Sequence, residues 1–220
     1  MPRLLFEKKG NAVWISHLDL MRLFQRSFKR AGLPLTHTRG FNPRPSVSIA
    51  LPLSVGVESF CEILDFDLDG SSVPCDEIRD KQYGVLVEGV KVLDVYEDGR
   101  KIKNLALLDC VVTLEYDAGV PSEAVSRLEE LFSSEEVLVE KKAKSGEIKE
   151  QNIISMIRNL EISQPDGQML ELRGRICCQN PTLNPMQMVA AIGKYLPDLK
   201  PDFAKCARLE GYDNDETIFR

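Results

Sequence analysis

The chain has 220 residues, 43% of them apolar, with 34 acids against 28 Lys and Arg for a net charge of −6. That apolar fraction supports real cores, in one large domain or in two of about 100 residues each. No apolar run approaches the roughly 18 residues that span a bilayer, and Glu7, Lys8 and Lys9 break the apolar N-terminus too early for a signal peptide, so a soluble cytoplasmic protein with no membrane partner is expected.

Taken in order, residues 3–15 read as a strand or as a hairpin turning at KKGN. A helix over 17–32 follows, with Ser16 as its N-cap and Asp19 three residues on as a variant of the capping box. Its wheel gathers Leu18, Leu20, Met21, Phe24, Phe28 and Ala31 on one side and Arg22, Arg26, Lys29 and Arg30, with Asp19, on the other. Gly32 and Pro34 end it. Strands are expected at 46–53, 59–69 and about 87–97, with a short helix at about 75–82 between the last two. Residues 98–106 are polar and basic enough to be a linker.

The same order then returns. A strand is expected at 107–117, and a helix opened by Pro121 at N1 puts Val125, Leu128, Leu131 and Phe132 inward. A strand is expected at 135–143, while 148–160 fits strand and helix equally. A strand at 167–179, a helix opened at Asn184-Pro185 and closed by Pro197, and a strand at 203–213 complete the series. Two passes of β-α-β-β-α-β imply an α+β protein of two tandem ferredoxin-like (split βαβ) units with antiparallel sheets, over residues 1–100 and 107–220.

Charge is divided unevenly along this chain. Residues 1–50 hold nine Lys and Arg against two acids, leaving +7, and the overall −6 then assigns −13 to residues 51–220. Such asymmetry suggests an anion-facing surface at one end of the chain, against the plainer reading of a solvated basic helix face. The loop after the helix, THTRGFNPRPSVS, has Gly40 for a positive φ, Asn42 before proline, and Pro43 and Pro45 fixing φ at alternate positions. Stiffness of that kind holds Arg39, Phe41, Asn42 and Arg44 in set directions, so that little ordering entropy is lost on binding phosphate or base, and it serves equally well simply to turn the chain.

The six cysteines (Cys61, Cys75, Cys110, Cys177, Cys178 and Cys206) are dispersed with no C-x-x-C pair. They read as thiols in a reducing compartment rather than as ligands of zinc or an iron–sulfur cluster, and neither metal nor cofactor is expected.

F-E-K-K-G in the first strand, S-H-L-D-L-M-R opening the helix, R-A-G-L-P closing it, G-F-N-P-R-P-S and P-L-S-V-G-V-E-S together resemble the radical SAM-linked protein family. This is a bacterial domain of unknown function found beside, or fused to, cobalamin-binding radical SAM proteins. The likeness covers essentially the whole chain, with its motifs all in the first 60 residues. It implies a non-catalytic accessory module for a radical SAM enzyme supplied in trans. At the level of architecture alone, the chain is also similar to the tandem ferredoxin-like RAMP proteins that bind and cleave CRISPR RNA.

Three classes of function follow. The first is a binding module that presents an anionic substrate, structured RNA in particular, through Arg22, Arg26, Lys29, Arg30, Arg39 and Arg44, with Phe41 stacking on a base and Asn42 beside it. The second is a metal-independent endoribonuclease using His17 or His37 as general acid or base. The third is a protein–protein adaptor with no nucleic-acid ligand. Steep salt dependence marks the first against the third.

Overall fold

The computed structural model describes residues 2–70, 72–142 and 146–220. The chain is α+β, and it divides into two compact units: one runs to Ile102 and takes in Arg220, the other is Lys103–Phe219. Arg220 joins the first through its carbonyl, which accepts a hydrogen bond from the Arg100 N–H at 2.9 Å.

The first unit runs β1 (Arg3–Lys8), α1 (His17–Arg30), β2 (Val47–Ile49), β3 (Val57–Phe66), α2 (Cys75–Gln82) and β4 (Val90–Tyr96). Its strands lie in the order β4-β1-β3-β2, each antiparallel to its neighbour. Central β1 is buried along its whole length. Leu4 and Phe6 enter the core shared with Leu20, Phe24 and Phe28 of α1, Leu64 and Phe66 of β3, and Ile78 of α2. Phe6 meets Phe24 edge-on at 4.7 Å between centroids and Phe28 meets Phe66 at 4.8 Å, geometries that aromatic quadrupoles favour. These contacts fix which side of α1 turns outward.

Residues 10–14 form a 3-10 turn, so the hairpin alternative for 3–15 does not hold. Gly56 donates to the Val13 carbonyl at 2.9 Å, tying that turn to the entry of β3 rather than to a returning strand. The 46–53 strand is also shorter than expected: β2 ends at Ile49, with one further hydrogen bond from the Ala50 N–H to the Ile63 carbonyl of β3.

The second unit runs β5 (Leu107–Glu115), α3 (Ala124–Ser133), β6 (Leu138–Lys142), β7 (Ile148–Asn152), β8 (Ile157–Ser163), β9 (Met169–Cys177), α4 (Met186–Tyr195) and β10 (Phe203–Tyr212). Its sheet has the antiparallel order β10-β5-β9-β8, while among the described residues β6 and β7 pair only with each other. Relative to the sequence reading, β8 takes the sheet position expected for the 135–143 strand, and β6–β7 is an added hairpin. The ambiguous 148–160 segment is two strands separated by a 3-10 turn at Ile154–Met156. Ile153 and Met156 are buried around that turn, which gives the segment its helix-like spacing. Pro121 is not at a helix N1: Glu123 has φ 61, Ala124 donates to the Pro121 carbonyl, and α3 begins after that turn.

Candidate anion-binding face

The face is built on α1, whose entry is set from below. Lys8 is fully buried, and its Nζ donates to the Ile15 carbonyl at 3.0 Å, immediately before the cap. Ser16 Oγ accepts from the Asp19 N–H at 3.2 Å and donates to the Asp19 carboxylate at 2.8 Å, so the expected cap closes through the two side chains. Arg22 donates to the other Asp19 oxygen at 2.9 Å, and together the Ser16 hydroxyl and the Arg22 guanidinium hold that carboxyl below the usual carboxylate range. Gly32, at φ 68, ends the helix as expected.

Arg22, Arg26, Lys29 and Arg30 are all exposed on α1. Leu18, expected on the apolar stripe, is exposed too, and Ser27 is buried in the core-facing row instead. Leu18 is four residues before Arg22, so one helical turn places it at the border of the basic side. Exposed Trp14 precedes the same end of the helix. Large apolar side chains so near the cations are the feature the wheel obscured.

Residues 36–46 form a hairpin arm. The Ser46 N–H donates to the Thr36 carbonyl at 2.8 Å, and the Thr38 N–H to the Arg44 carbonyl at 2.8 Å. The Arg44 N–H returns to Thr38 Oγ1 at 3.0 Å, and His37 lies opposite Pro45. At the base, the Thr36 N–H donates to the Asp67 carbonyl at 2.9 Å and Thr36 Oγ1 to the Asp67 carboxylate at 3.0 Å. Beyond these bonds Arg39, Phe41, Asn42 and Arg44 stand exposed, Phe41 completely so at 107%.

Strand register locates these pieces. In the β1–β3 pair, Lys8 faces Ser59 at one end and Arg3 faces Asp65 at the other. The 3-10 turn bonds to Gly56 at the first end, so α1 begins there, whereas Leu35 bridges Leu68 and the arm is tied to Asp67 at the second. The C-terminal turn of α1, with Lys29 and Arg30, and the arm, with Arg39 and Arg44, therefore share one end of the unit. His17 and His37 are separated by the length of α1, about 20 Å at 1.5 Å per residue. His37 is exposed on the arm, while His17 is half-buried with Nδ1 buried and without a hydrogen-bond partner among the described residues, so the two do not meet in one site.

The other N-terminal cations are otherwise engaged. Arg3 is buried on Asp65 at 2.7 Å and on the Arg100 carbonyl at 2.8 Å, and Lys9 pairs with Glu7 at 2.9 Å. Six exposed cations with Asp19 as the acid among them remain on α1 and the arm, and among the described residues no ion pair engages Lys29, Arg39 or Arg44. The six cysteines remain thiols. Among the described residues no group of three or more His, Cys, Asp or Glu is placed to hold a metal ion, and no helix is long and apolar enough to cross a membrane.

The fold is similar to a chain of a Cbf5-Nop10-Gar1 complex (TM-score 0.52, 9% identity, 98% of this chain and 50% of that one). It is likewise similar to a chain of the archaeal box H/ACA sRNP Nop10-Cbf5 complex (TM-score 0.50, 10% identity, 94% and 46%). This chain thus spans about half the length of these two chains, and at such identities the likeness is one of fold alone. No curated protein matches the sequence. A family model does, over residues 2–185, and the chain accordingly belongs to the family described as an uncharacterized protein conserved in bacteria (DUF2344).

Proposed function

We propose that this chain is an RNA-binding module without catalytic chemistry of its own, gripping phosphates through Arg22, Arg26, Lys29, Arg30, Arg39 and Arg44 and stacking Phe41 on a base, with Asn42 beside it. The observation that carries the reading is the gathering of six exposed cations on one helix and one arm of a chain that is otherwise acidic. Phosphate contacts position and aromatic faces grip unpaired bases, and a bonded arm presents both at little entropic cost. The resemblance in fold to a chain of the archaeal box H/ACA sRNP Nop10-Cbf5 complex agrees with an RNA ligand in kind. On the motif resemblance, the module serves a radical SAM enzyme supplied in trans. We further read each unit as one ferredoxin-like domain, since β4-β1-β3-β2 and β10-β5-β9-β8 are the same order once the β6–β7 hairpin is set aside.

A ribonuclease needs an acid and a base at one phosphate, and His37 alone shares the face with Arg39 and Arg44. The binding reading therefore stands ahead of it. The test is triple charge reversal, Arg22→Glu, Arg26→Glu and Arg30→Glu. These side chains lie outside the core, so circular dichroism and thermal melting should stay near wild type. Binding of a structured RNA, followed by fluorescence anisotropy, should weaken at least 100-fold, because many weak contacts act together. Undiminished RNA binding by the folded triple variant would show the basic side to be a solvated helix face. Failure of the wild-type chain to bind RNA would favour the adaptor reading.

A further inference from the structure

Trp14 is the one tryptophan of the chain, and it is 67% exposed at the turn that leads into α1. Its six-membered ring lies against Gly56, where a Cβ would come 3.9 Å from the ring carbon Cζ3. The Gly56 N–H in turn donates to the Val13 carbonyl at 2.9 Å, next to Trp14 in the chain. A ring backed by main chain and otherwise open to solvent is set as a stacking platform.

Leu18 is exposed one helical turn before Arg22, and the exposed Arg26 and Lys29 continue along the same side. At roughly 100° per residue, Leu18, Arg22, Arg26 and Lys29 fall within an arc of about 80°. Trp14 therefore stands at the foot of the cationic row, and the fully exposed Phe41 stands on the arm at its head. Between them lies the length of α1, about 20 Å at 1.5 Å per residue. A stacked strand advances about 3.4 Å per nucleotide, so about six phosphates cover that length.

An aromatic ring at each end of a cationic track holds an unpaired strand whatever its sequence. A duplex, whose bases are stacked inside, leaves both rings bare. An anionic bilayer is disfavoured, because Asp19 follows Leu18 and Glu58 lies two residues after Gly56.

We infer that the ligand is an unpaired stretch of about six nucleotides, stacked on Trp14 at the start of α1 and on Phe41 at its end, with its phosphates on the cations between. The inference rests on the RNA reading proposed above, and adds to it the kind of strand, its length and a second ring.

With no second tryptophan in the chain, Trp14 emission reports this contact in the unmodified full-length protein. Hexaadenylate should bind, as read by the anisotropy of an end label. Unlabelled hexaadenylate should quench Trp14 emission over the same concentrations, and a fully paired RNA duplex should leave the emission unchanged. Trp14→Ala should keep the wild-type melting temperature and weaken hexaadenylate binding about tenfold through the loss of one stacked base, and Trp14→Phe should restore it. The Arg22, Arg26, Arg30 triple variant should lose binding and quenching together. Hexaadenylate bound without quenching, equal binding by Trp14→Ala, or equal quenching by the duplex overturns the inference and leaves the phosphate-binding reading in place. Failure of every RNA to bind the wild type rejects that reading and this inference with it, and a blue shift of Trp14 emission on phosphatidylserine vesicles would then assign the ring to a lipid surface.

Discussion

Gly89 marks where two local structures press together. Its φ is 85, and a Cβ there would lie 2.4 Å from the Lys9 carbonyl and 2.8 Å from the Ala12 Cβ. Both obstacles are fixed, so Gly89→Ala should cost about 2–4 kcal/mol in urea unfolding, combining left-handed strain with overpacking. Tyr116, in the second unit, gives a pH test. It is buried, and its hydroxyl donates to the Leu199 carbonyl at 2.8 Å. Burial, and to a smaller extent Asp202, pushes the phenol up to about 12 from the ordinary value of 10. A folded value above the unfolded one means the contribution is complete below pH 10 and is lost as pH rises through 12. Stability should therefore fall by on the order of 2–3 kcal/mol between pH 9.5 and 12. Tyr116→Phe should be weaker at neutral pH by about 1 kcal/mol and should flatten that decline in alkaline thermal melts.

Among the elements, α1 was the most legible, because the Ser16 cap, the Gly32 stop and the aromatic row are all local signals. Ser16→Ala should accordingly cost about 1 kcal/mol in stability. Residues 75–82 formed the expected helix for a similar reason. Less was legible where long-range pairing decided the outcome. EEVLVEKKA reads as a strand and is one in part, yet its partner is β7 and not the sheet. IRNLEIS, obscured by the turn before it, pairs with β9 instead. The arm's stiffness followed from its prolines and glycine, but its anchorage at Asp67 is a contact 31 residues away that no local pattern encodes. For the arm itself, Phe41→Ala should leave the melting temperature unchanged, and it should weaken RNA binding by about 1–3 kcal/mol through lost stacking.

At the scale of the whole molecule, the proposed RNA binding has a salt dependence that the uneven charge should set. Six phosphate contacts to a single strand predict a slope of log K against log salt of about −4, at roughly 0.7 per contact. The triple charge reversal should make that slope shallower by about 2 at least. A flat slope in the wild type would point to an apolar protein interface. Arg3 and Lys8 contribute to the charge of the first 50 residues but are buried, so the sequence total overstates what a ligand meets. Both serve the fold, one bonded to Asp65 and the Arg100 carbonyl and the other to the carbonyl that precedes α1.

The hairpin arm carries its exposed tip on a base that is hydrogen-bonded on both sides. Arg39 lies in that tip directly before Gly40, whereas Arg44 is followed by Pro45. Trypsin cleaves after arginine unless proline follows, so brief digestion should nick the arm after Arg39 and spare Arg44. The two fragments should remain associated, because Thr36 and Ser46 stay bonded to each other and to Asp67 across the cut. A ligand seated on the face would shield that peptide bond, and the rate of the first nick then reports its occupancy without any label.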